Sequence, residues 1–279
     1  MNGLRPPLIL FTNDDGIDSP GLWATVKAFE GLGQLLVVAP EQQQSGMGRS
    51  MPRSSRGTIR PYQPPYRIAN CTAYAADGTP AQTVQHGILE LCDRQPDLVV
   101  SGTNYGENTG NGVTISGTVG AAIEGASLGC NAIAISQQTP FDLHLTHSDE
   151  VDFSAAAHFA RKFGEWLIHH RVLPDDVDLL KIEVPWGATA DTEWRMTRLS
   201  RRRVYWPTRP ERISIDSEGQ LGYRFNADPS QAEPDSDVYV LLHEKKVAVT
   251  PMSLDMSART DLFRLRQILE GKRVYGRQS

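Results

Sequence analysis

Leu8-Ile9-Leu10-Phe11-Thr12-Asn13-Asp14-Asp15-Gly16 is the stretch that decides the architecture. Four consecutive apolar residues run into polar turn formers. A continuous run of that length predicts a strand buried on both faces, as in a parallel sheet, rather than a half-exposed alternating one. Ser19 then reads as an N-cap with Pro20 at the first helical position, and Leu22, Val26 and Phe29 give the helix an apolar stripe. Residues 35–39 form a second apolar run, stopped by Pro40.

The pattern continues outward. Thr79-Pro80 opens a helix with Ala81, Val84, Ile88 and Leu91 at helical spacing, residues 98–101 read as a strand and 117–128 as a helix rich in small residues. Residues 132–136 form another strand. Phe153, Ala156, Phe159, Ala160, Phe163 and Leu167 mark a further amphipathic helix, and 179–184 fit a strand. Strands alternating with helices predict the α/β class and a doubly wound, mostly parallel sheet. Such sheets bind ligands beyond the carboxyl ends of their strands. The polar, glycine-rich segments 12–19, 40–50 and 101–118 fall at those ends, and residues 40–65 read as one long loop.

Past residue 185 the character changes. Residues 193–236 read as an extended β-hairpin insertion, basic around 194–203 and turn-like at Ser217-Glu218-Gly219. Residues 238–242 and 247–250 flank Glu244-Lys245 and read as two strands of a hairpin. A helix over 258–269 lies in a C-terminal extension, 251–279. Residues 1–279 are thus expected to form one domain with two appendages.

Composition removes several classes of function. With 39% hydrophobic residues the chain has ample material for a core, while a net charge of −5 supplies no global basic field for a nucleic-acid polymer or an anionic membrane. No apolar run reaches a membrane span, and the start lacks the apolar core of a signal peptide. Cys71, Cys92 and Cys130 are odd in number and far apart, which fits structural thiols in a reducing cytoplasm better than a zinc cluster or a disulfide framework. No Gly-x-Gly-x-x-Gly follows the first strand and no Gly-x-x-x-x-Gly-Lys-Ser/Thr occurs, which disfavours dinucleotide binding and a P-loop NTPase.

Asp14 and Asp15 are adjacent carboxylates at a strand end. They repel unless a proton or cation compensates, and Gly16 gives the chain the turn that aims both at one point. Hard oxygen ligands suit Mg²⁺ or Mn²⁺. The plain alternative is a solvated capping turn. Asn104 and Asn108 follow another strand and offer neutral carbonyl oxygens, or simply form a turn. Ser116-Gly117-Thr118 precedes a helix and presents amides and hydroxyls to phosphate oxygens, or merely caps it. Ser45-Gly46 sits in the long loop. His144, His147, His169 and His170 read as surface residues, and Arg201-Arg202-Arg203 as a solvated basic face.

In order along the chain these segments resemble the survival protein SurE family. The resemblance rests on Asn13-Asp14-Asp15-Gly16 with Ser19-Pro20-Gly21, Val38-Ala39-Pro40 followed by Ser45-Gly46 and Ser50, and Gly78-Thr79-Pro80-Ala81. It rests further on Ser101-Gly102-x-Asn104-x-Gly106-x-Asn108, Ser116-Gly117-Thr118-Val119 and Thr250-Pro251. It implies a Rossmann-like core, a 5′/3′-nucleotidase acting on nucleoside monophosphates, one divalent metal ion and a homodimer or homotetramer. By position it implies Asp14, Asp15, Ser45 and Asn104 as metal ligands, with Asn108, Ser116, Gly117 and Thr118 beside the phosphate. Gln82 and Thr83 depart from the family, which often has Asp and Cys there.

The expected chemistry is metal-assisted hydrolysis, with Asp14 or Asp15 also holding water and Asn108 and Thr118 donating hydrogen bonds to phosphate. Two rivals remain at this stage. A phosphatase with an aspartyl-phosphate intermediate needs Asp-x-Asp, whereas the acidic residues here are adjacent. A receiver-like signalling or nucleotide-binding domain needs a phosphoacceptor Asp after a later strand, where this chain has Ser101-Gly102.

Overall fold

The computed structural model describes residues 5–140, 143, 148, 150–170, 173–226 and 228–272. Its strands are β1 (Leu8–Thr12), β2 (Gln34–Pro40), β3 (Ile59–Pro61), β4 (Cys71–Ala76), β5 (Leu98–Tyr105), β6 (Ala132–Gln137), β7 (Leu179–Val184), β8 (Trp194–Met196), β9 (Tyr205–Thr208), β10 (Gly222–Phe225) and β11 (Val247–Met252). Nine of them form the central sheet, in the order β3-β4-β2-β1-β5-β6-β7-β11-β8. Only β3–β4 and β7–β11 pair antiparallel, so the sheet is mostly parallel as expected. A separate two-stranded antiparallel ribbon joins β9 to β10.

Strand alternation sorts β1 onto two cores. Ile9 and Phe11 pack with Trp23, Phe29 and Phe159 under α1 (Pro20–Ala28) and α4 (Ser154–His170). Leu8 and Leu10 pack with Val84, Val119 and Ala121 under α2 (Pro80–His86) and α3 (Gly117–Ser127). Both faces of β1 are therefore covered, which is why its sequence is uninterrupted hydrocarbon. The chain winds β1, β2, β4 in one direction and returns to place β5 on the other side of β1. The crevice between β1 and β5 is the topological switch point.

Four expectations need correction. β4 was not expected, and β3 lies within what reads as a long loop. Cys71–Ala76 carries small side chains apart from Tyr74 and no run of large apolar residues, and pairing with β2 along its whole length makes it a strand. Residues 238–242 do not form a hairpin strand: Tyr239–His243 is one π-helical turn. Val238, Val240, Leu241 and Leu242 are all buried against Val204 and Ala232, and consecutive burial suits a turn of helix rather than an alternating strand. Trp194–Met196 is no hairpin arm but the parallel edge partner of β11. The C-terminal helix α5 (Leu262–Leu269) starts later than expected, where Asp261 caps the amide of Arg264.

Candidate functional site

The turn after β1 is an interior structure. Asn13, Asp14 and Asp15 are buried, so the reading of a solvated cap is overturned. Asn13 Nδ2 donates to the Gly16 carbonyl at 2.9 Å, and Gly16 has φ +97°, a left-handed conformation that glycine adopts without strain. Ser19 occupies the N-cap of α1, but its hydroxyl makes no capping bond.

Asp14 meets the start of α3. The Thr118 hydroxyl donates to its Oδ1, and the amides of Gly117 and Thr118 also reach the carboxylate. An anion at a helix N-terminus is electrostatically favoured. Burial nevertheless pushes the Asp14 carboxyl above its usual range. Asp15 takes Gln43 Nε2 on Oδ1 at 3.2 Å and the Tyr105 amide on Oδ2 at 3.1 Å. Burial, and then the charge of Asp14 beside it, push Asp15 well up. Two desolvated like charges side by side form a site that favours a cation or a proton.

A cavity of about 790 Å³ opens over the switch point, and Asp14, Ser45, Asn104, Asn108 and Ser116 line it together. Asn104 Nδ2 is spent on the carbonyls of Tyr105 and Gly106, at 3.1 and 2.7 Å, which orients its Oδ1 as the free acceptor of the side chain. Ser116 Oγ accepts the Val119 amide at 3.1 Å and keeps its own proton to donate. Asn108 donates from Nδ2 to Ser136 Oγ at 3.0 Å and from its backbone to Glu183 Oε2 at 2.9 Å. Asp15, Gly117 and Thr118 stand behind this lining. The Thr118 hydroxyl is directed to Asp14.

The far wall was not foreseen. Val204, Tyr205, Pro207 and Tyr223, from the ribbon and its approach, line the same cavity with Ile115. The Tyr205 hydroxyl donates to Glu107 Oε1 at 2.6 Å. Burial and Glu107 raise the Tyr205 phenol far beyond its ordinary value, so it remains a neutral donor. Arg203, read as part of a solvated basic face, also lines the cavity, and its guanidinium lies 5.9 Å from the Trp206 ring centre. The signal available in the sequence was the cluster of tyrosines and tryptophan in an otherwise polar stretch.

Other candidates lie elsewhere. Gln82 completes a capping box with Thr79, and Thr83 shares a hydrogen bond with Thr12 at 2.7 Å. His169 and His170 sit on the outer side of α4, while His144 and His147 fall outside the described residues. The three cysteines are free, and burial raises each thiol to about 11.

Among the described residues no three His, Cys, Asp or Glu side chains gather as a metal cluster. Asp14, Asp15, Ser45 and Asn104 instead offer two carboxylates and two neutral oxygens. A small all-oxygen set around a buried acidic pair fits a hard divalent cation. Gly117 is tied to this set by close approach, since an added Cβ would lie 2.7 Å from the Asp14 Cβ and 2.8 Å from its Oδ2. Gly117→Ala is expected to push α3 off Asp14. It should cost about 1–3 kcal/mol of stability in denaturant titration and about tenfold or more in turnover. Wild-type values for both would contradict this packing.

Fold and site define an α/β protein that gathers an acidic pair and neutral oxygen donors at the switch point of a doubly wound sheet, facing an aromatic wall. The profile of the family described as survival protein SurE matches residues 9–205, and the chain belongs to that family. It is 43% identical over 270 residues to a protein of Thermococcus gammatolerans named 5′-nucleotidase SurE, covering 95% of this chain and 96% of that one. A Thermococcus kodakarensis protein of the same name is 40% identical over 262 residues, covering 94% and 98%. The crystal structure of the SurE protein from Aquifex aeolicus superposes with a TM-score of 0.74 at 28% identity, covering 95% of this chain and all of that one. Among the described residues no helix is long and apolar enough to cross a membrane.

Proposed function

We propose that this chain is a divalent-metal-dependent nucleotidase that hydrolyses nucleoside 5′- and/or 3′-monophosphates to nucleoside and phosphate. The observation that carries the reading is the buried Asp14–Asp15 pair, whose Asp14 lines one cavity together with Tyr205, Pro207 and Tyr223. A cation held on the acidic pair would meet an anionic phosphate, and the tyrosines offer a flat base aromatic faces to stack on. The names borne by the relatives support the same activity.

Asp14, Asp15, Ser45 and Asn104 would hold the cation, Mg²⁺ or Mn²⁺ by the hardness of these donors. When bound, it supplies Lewis acidity and positive charge against the phosphate oxygens. The chain does the rest. Asn108 and Ser116 donate to the phosphate oxygens as charge builds on them. The Thr118 hydroxyl and the first amides of α3 hold Asp14 in place, and Asp14 accepts a hydrogen bond from the attacking water. The water oxygen bonds to phosphorus and the ester P–O bond breaks. One of the water's protons passes to the departing oxygen, which leaves as the nucleoside hydroxyl, and the other stays on the phosphate.

On this reading residues 1–279 work as one domain, with the 193–236 insertion and the 251–279 extension as appendages. Exposed apolar side chains at Leu262, Phe263 and Leu269 support a homodimer or homotetramer, and the three free thiols support a cytoplasmic setting. The test is phosphate release across nucleoside monophosphates and simple phosphomonoesters. The expected result is turnover of nucleotides in preference to esters lacking a base. Failure to release phosphate from any of them, with every metal supplied, would leave the cavity as a binding site only.

A further inference from the structure

Lys181, Glu183 and Asp237 are ionisable side chains with no solvent exposure. Lys181 and Glu183 are two apart on β7, so they share a face, in a strand otherwise made of Leu179, Leu180, Ile182 and Val184. Lys181 Nζ lies 3.1 Å from Glu183 Oε1 and 3.1 Å from Asp237 Oδ2, bridging the two carboxylates. The remaining contacts all go to backbone amides. Glu183 Oε2 takes the Asn108 amide at 2.9 Å. Asp237 Oδ2 takes the Gly110 amide, and Asp237 Oδ1 takes those of Ser200 and Val238, each at 2.9 Å.

Stability does not explain this cluster. Burying an ion triad costs several kcal/mol of desolvation per charge, and packed hydrocarbon of similar volume is often as stable or more so. What hydrocarbon cannot do is grip four amides at defined positions. Two of those amides belong to the loop that carries Asn108 into the cavity. A third, at Ser200, lies just before Arg203 and Tyr205, which line the same cavity.

We propose that Lys181, Glu183 and Asp237 are a positioning triad that sets Asn108 against the cavity and fixes the spacing between the phosphate end and the aromatic wall. This rests on the nucleotidase reading for its catalytic consequence, though not for its structural one. The ammonium is the keystone. Without it the two carboxylates repel each other, and their hold on the Asn108 and Gly110 amides slackens together.

The test uses the full chain with Mg²⁺ or Mn²⁺ and two variants. In Lys181→Met, kcat for a nucleoside monophosphate is expected to fall by about tenfold or more, and amide hydrogen exchange at Asn108 and Gly110 to quicken. In Lys181→Met/Glu183→Gln, the introduced side-chain amide is neutral, so nothing repels Asp237, and its carbonyl still accepts from the Asn108 amide. Recovery of both readouts is expected there. A folded Lys181→Met with a lower Tm but unchanged kcat and exchange overturns the proposal, and so does a double variant no better than the single one. Where Lys181→Met does not fold, Glu183→Gln is read alone. It leaves one carbonyl oxygen to serve both Asn108 and Lys181, so slower turnover and faster exchange are expected, and wild-type behaviour overturns the proposal. A wild-type protein inactive on every nucleotide would count against the nucleotidase reading. Exchange at Asn108 and Gly110 then decides the positioning claim by itself.

Discussion

Asp14→Asn is expected to lower kcat/KM for a nucleoside monophosphate by about 10³-fold or more, or ~4 kcal/mol of transition-state stabilisation. Asn is nearly isosteric, and its carbonyl still accepts from the Thr118 hydroxyl that now meets Asp14. The packing against α3 therefore survives while the charge does not. Asp14 is the member of the acidic pair that lines the cavity, so on the proposed reading its charge is the one presented to the phosphate and the cation. The same substitution removes a desolvated carboxylate from beside Asp15, whose ionisation Asp14 already disfavours. The metal-free variant should thus be at least as stable as the wild type, a common outcome where a site is built for function at the expense of stability. Its thermal midpoint should no longer rise when Mg²⁺ or Mn²⁺ is added. Steady-state kinetics and thermal melts with and without metal check both halves. A variant that keeps most of its turnover at saturating metal would remove Asp14 from the chemistry.

Asn108→Ala is expected to cost about 10²-fold in kcat, the typical loss for one donor to developing oxyanion charge. The substitution leaves the backbone amide bonded to Glu183 and deletes the side chain that lines the cavity and donates to Ser136. Binding of the substrate ground state should weaken less than turnover, because the donor meets most charge in the transition state. Asn108→Asp should be worse than Ala, since it turns a donor into an anion facing the phosphate. Comparison of kcat and KM across the three proteins checks this. A fall in Asn108→Ala confined to KM would make the residue a ground-state binder.

The sequence made the middle of the fold readable and left its edges obscure. β1, β2, β5 and β6 are covered on both faces, so each contains an uninterrupted run of apolar residues that the pattern detects. Cys71–Ala76 carries Ala, Thr and Tyr at an outer position of the sheet, and only its partner β2 reveals it as a strand. Residues 238–242 are apolar with two valines and a tyrosine, which local pattern assigns to a strand. Their winding into a turn depends on Val204 and Ala232, which lie elsewhere in the chain.

The site divides in the same way. Asp14 and Asp15 follow β1, Asn104 lies near the end of β5 and Ser116 precedes α3, where the geometry of a parallel sheet brings them to one end. Lys181 and Glu183 were visible as two charges in an apolar strand. Their partners were not, because Glu183 meets Asn108 across 75 positions and Asp237 meets Gly110 across 127. Thr118 shows the limit from the other side. Its place near the start of a helix is legible, but its hydrogen bond to Asp14 spans 104 positions and has no signal in the local sequence.

The most direct measurement is phosphate release from a nucleoside monophosphate by chelator-treated protein, before and after titration with Mg²⁺ or Mn²⁺, with Asp14→Asn run alongside. The expected result is no turnover after chelation, saturable recovery with either ion in the wild type, and no recovery in the variant. Full turnover by chelated wild-type protein, or equal recovery in Asp14→Asn, would contradict a metal-dependent site built on the buried acidic pair.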